Sequence, residues 1–173
     1  MLQRCSVAVK KRKDKIMTVV SINKQARLSE HFTLAEMCKT SAKTQDGNIP
    51  SHVHIENLKR LCGWLEMLRS EWNKRYGEGD DPIVINSGYR SEAVNKAVGG
   101  VKGSNHLTGC AADIRVAGIE QLVRYATILL DISDESQEDF DELLLERSPK
   151  GGYWLHFAVR PTGNRRKVRL IQT

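Results

Sequence analysis

His106 and Asp113 stand seven positions apart in Ser104-Asn-His-Leu-Thr-Gly-Cys-Ala-Ala-Asp113, and that interval constrains the fold more than any other feature of the chain. An imidazole and a carboxylate so spaced meet only if the backbone turns tightly between them, and Gly109 is the residue that tolerates such a turn. Asp113 then falls in Ala111-Ala-Asp-Ile-Arg-Val116, which reads as a strand, and a second histidine falls in another, Trp154-Leu-His156-Phe-Ala-Val159. The chain must therefore build a rigid sheet that aims side chains from two strands and one turn into a single cleft. Two histidines and an aspartate form the three-ligand set of a catalytic zinc, with the fourth position left for water. A structural zinc would be closed by four ligands, mostly cysteines, and no such pattern is present. The implied chemistry is hydrolysis by metal-activated water.

The remaining elements fit one domain of mixed class. Thr33 with Glu36 is a capping-box signature for a short helix through Met37 and Cys38. Residues 40–54 are polar and turn-rich, and His52 and His54 within them read as surface or capping histidines, with metal ligation the minor alternative. From Ile55 to Tyr76 the residues Leu58, Leu61, Cys62, Leu65, Leu68 and Trp72 recur at helical spacing, which predicts the long core helix; Gly77, Gly79 and Pro82 end it. Pro82-Ile-Val-Ile-Asn86 predicts a buried strand, Ser87-Gly-Tyr-Arg-Ser91 a corner, and Ser91 the cap of a short helix broken at Gly99-Gly100. Glu120 to Leu130 predicts a second amphipathic helix, and segments 141–146 and 154–159 a hairpin across Pro149-Lys-Gly-Gly152. The fold class expected is α+β, a small antiparallel sheet packed against two main helices.

Charge and cysteine usage bound the setting. The net charge is +6, from 27 basic against 21 acidic side chains, and part of the excess sits in Lys10-Lys-Arg-Lys13 and in Arg165-Arg-Lys167 with Arg169. Solvated tails account for both runs, and no aromatic residues interleave them, so nucleic acid is not an expected partner. The domain boundaries predicted are a basic, disordered extension over 1–27, the folded unit over 28–162 and a basic tail over 163–173. Met17, followed by Thr-Val-Val-Ser, reads as an alternative start that would leave residues 1–16 outside the natural product. Cys5, Cys38, Cys62 and Cys110 are scattered and read as free thiols of a reducing compartment. No stretch is apolar for long enough to span a membrane, and the N-terminus lacks the apolar core of a secretory signal.

The motifs together resemble a known family, the zinc D-alanyl-D-alanine carboxypeptidases and phage endolysin peptidases, related to lysostaphin-type peptidases and the hedgehog signalling domain. The matching segments are Phe32-Thr-Leu-Ala-Glu36, Ser87-Gly-Tyr-Arg-Ser91, Asn95-x-x-Val-Gly-Gly100, Ser104-x-His-x-x-Gly-x-Ala-x-Asp113, Phe140-Asp141 with Glu146, and Trp154-x-His156, in the family's order over residues 28–160. The resemblance implies one zinc ion on His106, Asp113 and His156, with Ser104 contacting substrate and Arg90 pairing with a substrate carboxylate or the developing oxyanion. It implies peptidoglycan peptides as substrate; the protein expected is a monomer made without a signal peptide. Such a protein would reach the cell wall after release or on a phage particle.

Several relatives place a general base three residues before the last histidine as Glu, or two before it as His, where this chain has Tyr153 and Trp154. Neither is a base at neutral pH. Glu146 is the nearest substitute: pairing Glu146 with Trp154 would set Leu144 opposite His156 and turn all four to one face, whereas a slip of one residue would turn Glu146 away. The different-class alternative is a zinc-stabilised but inactive module that binds cell wall or a protein.

Overall fold

The computed structural model describes residues 8–12, 15–19, 23 and 25–172. Ala8–Arg12 (β1) and Lys15–Val19 (β2) pair antiparallel as a two-stranded sheet of their own. The second sheet has five strands in the order β3-β4-β6-β5-β7: Ile85–Ser87, Ala111–Arg115, Tyr153–Ala158, Glu142–Arg147 and Lys167–Gln172. Its helices are α1 (Leu34–Met37), α2 (His52–Arg75), α3 (Glu92–Ala97) and α4 (Ile119–Ser136). The α+β class and the two main helices are as expected.

Alternation divides the sheet into two faces. Ala112, Ile114, Leu143, Leu155 and Phe157 point to the back, where Leu58, Leu61, Leu65 and Leu68 of α2 and Leu122, Tyr125 and Leu129 of α4 bury them in one core. Aromatic pairs knit the layers: Trp64 meets Phe157 at 5.4 Å between ring centroids, and Trp72 meets Tyr125 edge-on at 4.9 Å. Asp113 and His156, directly paired across β4 and β6, project to the opposite face. The back face thus supplies the stability, and the front face is left for polar side chains.

Four expectations change. The stretch 1–27, expected as a disordered extension, carries the paired strands β1 and β2. Helix α2 starts at His52, earlier than its apolar stripe, because Ser51 caps it and His54 completes the reciprocal capping box with the Ser51 backbone N–H. Helix α4 runs to Ser136, past Leu130. The largest correction concerns the C-terminus: 163–173 is not a solvated tail, since Lys167–Gln172 pairs in parallel with β5 and makes the sheet mixed. The physical reason lies in the charges. Asp141 is completely buried and takes two hydrogen bonds from Arg165, at 2.7 and 2.8 Å, so the basic run folds back to neutralise it.

Candidate metal centre

His106 reaches the cleft from a single 3-10 turn, Asn105–Thr108, which Ser104 opens by accepting a hydrogen bond from the His106 N–H. Gly109 closes that turn in the left-handed region, at φ 72°. A Cβ there would also lie 2.6 Å from the His54 carbonyl oxygen, so glycine is required twice over. Strand β4 follows at once and delivers Asp113. The turn is pinned from behind by Asn57 of α2, whose Nδ2 donates to the Thr108 carbonyl at 2.9 Å.

The corner Ser87-Gly-Tyr-Arg-Ser91 clasps the same turn. The Gly88 carbonyl accepts from His106 Nδ1 at 2.7 Å, and the Arg90 N–H donates to the His106 carbonyl at 3.0 Å. Gly88 has no room for a side chain because the Met37 carbonyl passes against its Cα. Sequence reasoning overlooked Asn48, which holds this corner. It is buried, its Oδ1 accepts from the Ser91 N–H at 2.7 Å, and its Nδ2 donates to the carbonyls of Cys38 and Tyr89. One asparagine in a polar loop carries no pattern that marks it.

Three ligand atoms converge. His106 Nε2 lies 3.2 Å and His156 Nδ1 2.9 Å from the same Asp113 Oδ1, and one atom of each residue falls within 4.8 Å of the others. The hydrogen bond from Nδ1 to Gly88 fixes the His106 tautomer and leaves the Nε2 lone pair facing inward, which suits a metal ligand. His156 Nε2 is buried without a hydrogen bond, consistent with a ring positioned for coordination through Nδ1. The set therefore fits a zinc ion in donor type and geometry. His52 and His54 are not part of it; the His54 ring caps α2 and stacks against Tyr89 at 5.0 Å.

Electrostatics reflect the crowding. Burial would raise the Asp113 carboxyl, but His106 and His156 outweigh it and hold Asp113 far below the usual carboxylate range. Burial would likewise depress His156, yet the hydrogen bond to Asp113 and the negative charge of the nearby Asp113 and Glu142 carboxylates lift it to about 9 in the metal-free protein. Arg90 ion-pairs with Asp113 Oδ2 through Nη2 and donates from Nε to Ser87 Oγ at 2.8 Å. Its Nη1 has no hydrogen bond among the described residues.

The hairpin pairs Glu146 with Trp154 and Leu144 with His156, the register that sets Glu146 on the metal face. Partial burial raises the Glu146 carboxyl, the negative charges of Asp113 and Glu142 add to that, and His156 and Arg90 oppose it. Ser104 lines a cavity of about 340 Å³ with Asn57, Leu107 and Arg160.

The sequence profile of the family Peptidase M15 matches residues 30–131, more than half of the chain. That segment contains His106 and Asp113 but stops before Glu146 and His156, so the third ligand rests on the geometry above. A zinc D-Ala-D-Ala carboxypeptidase of Streptomyces albus G is 31% identical over 84 residues, covering 49% of this chain and 31% of the relative. The chain thus aligns with about a third of that relative's length. With the motif order, the three converging ligand atoms and the profile in agreement, the chain belongs to the peptidase M15 family.

Proposed function

We propose that this protein is a zinc peptidase that hydrolyses peptide bonds of peptidoglycan, as a D-Ala-D-Ala carboxypeptidase or an endolysin-type endopeptidase. The observation that carries the reading is the convergence of His106 Nε2, Asp113 Oδ1 and His156 Nδ1 on the face of the sheet opposite the helix-packed core. The name of the Streptomyces albus G relative supports both the metal and the substrate class.

A single zinc ion held by these three residues would supply electrophilic activation of the scissile carbonyl and of the attacking water. The chain's own residues do the rest. Glu146, half-buried and raised in pKa, takes the proton from water and returns it to the leaving amine. Arg90, fixed by Asp113 and Ser87, offers its remaining Nη1 to the oxygen on which charge develops or to a substrate carboxylate. Ser104, which caps the turn bearing His106, is assigned to contact the peptide. The active protein is a monomer that meets the wall after release or on a phage particle, and its peptidase unit extends past 162 to include the edge strand Lys167–Gln172.

Tyr153 and Trp154 at the positions where relatives carry a base favour one competing reading, an inactive zinc-stabilised module. Digestion of purified sacculi decides between them. Wild-type protein should release muropeptides with a cleaved stem or cross-bridge, and His106→Ala should release none and lose its zinc. Intact sacculi after incubation with the zinc-loaded wild type would select the inactive module.

A further inference from the structure

We infer that the C-terminal basic segment is a brace for the metal site: Glu142, clamped by Arg165 and Lys167, is a positioning residue that orients His156. This rests on the reading of the site as a zinc centre.

With Nδ1 of His156 turned to Asp113 and the metal position, the ring proton must sit on Nε2. That Nε2 is buried without a hydrogen bond, and the carboxylate in reach is Glu142, whose Oε2 lies 3.6 Å away. A small rotation of the imidazole closes this gap and gives the carboxylate–histidine–metal arrangement that fixes ring orientation and raises ligand basicity. Glu142 is not free to swing aside. Its Oε1 accepts from Arg165 Nη2 at 2.9 Å and from Lys167 Nζ at 2.8 Å, and its Oε2 accepts from Asn105 Nδ2 at 3.0 Å.

Asn105 ties the clamp to the other histidine. It precedes His106 in the 3-10 turn, donates to buried Asp141 at 2.7 Å, and accepts from Arg160 Nε at 2.8 Å. One polar cluster therefore joins the turn bearing His106, the strand facing His156 and the edge strand β7. This gives the basic C-terminal run a use that a solvated tail would not have. It also predicts that zinc affinity depends on residues of the last strand that never touch the ion.

The test is zinc affinity measured by chelator competition on the full chain, together with visible spectra of the cobalt-substituted protein. Glu142→Gln removes the charge but keeps the shape, and zinc affinity should fall about 10–100-fold, with altered cobalt bands and a melting temperature near wild type. Lys167→Met, which removes one of the two donors to Glu142 Oε1 without approaching the metal, should shift affinity in the same direction by less, and Lys167→Arg should restore it. Should Glu142→Gln fail to fold, Lys167→Met alone decides. Wild-type affinity and an unchanged cobalt spectrum in the decisive variant overturn the brace and leave the proposed function standing. Wild-type protein that takes up no zinc overturns both.

Discussion

Gly109→Ala is the sharpest test of how the chain builds its metal site. The substitution adds one methyl group at a backbone φ of 72°, where an L-residue costs about 1–2 kcal/mol. The same methyl would stand 2.6 Å from the His54 carbonyl oxygen and 3.2 Å from Leu58 Cγ. The first neighbour is backbone in the opening turn of α2, so the 3-10 turn must move by several tenths of an ångström, at an overpacking cost of about 1–3 kcal/mol. The sum is about 2–5 kcal/mol, which for a domain of this size lowers the melting temperature by roughly 4–20 °C. Movement of the turn also displaces His106 from Asp113, so zinc affinity should fall together with stability. Calorimetry and chelator competition on the same samples provide the check. An alanine variant that melts within a degree of wild type and binds zinc equally well would refute the argument that glycine is required here on both steric grounds.

The other expectations concern the chemistry. Glu146→Gln should keep zinc and fold yet lose about 10²–10⁴ in turnover on wall peptides; since the wild-type carboxyl is raised by burial, the acid limb of the kcat/KM profile should lie above the ordinary carboxylate range. Full activity in that variant would pass the role to another group. Arg90→Lys keeps the charge but loses the planar fork shared by Asp113 and Ser87, so turnover should drop at least tenfold with zinc retained, whereas wild-type rates with reduced stability would make Arg90 a purely structural partner of Asp113. In the metal-free protein the His156 ring should titrate near pH 9 by NMR. Its folded pKa lies above the unfolded value of about 6.5, so its stabilising contribution is complete below pH 6.5 and is lost as pH rises through 9. A His156 titration below pH 6.5 would contradict this.

The sequence by itself determined the elements whose residues carry a local signal. The apolar stripe of α2 can be packed only one way, Gly109 permits only a turn, and the interval from His106 to Asp113 makes sense only if both face one point. The hairpin itself was legible, but its register was left between two choices, and the structure takes the one that keeps Leu143 and Leu145 on the core side and Glu146 on the metal face. What only the tertiary structure decided are contacts between residues far apart in the chain. Asn48 reaches the corner at Ser91 across 43 positions, and Arg165 reaches Asp141 across 24. Neither has a spacing that marks it, for a buried polar group takes its partner from wherever the fold brings one. The same holds for the last strand. Read along the chain, Arg165-Arg-Lys167 is a solvated charge run; in the fold, Asp141 is buried and would be costly left unpaired, so Arg165 and Lys167 are held against Asp141 and Glu142 and the segment becomes the edge of the sheet.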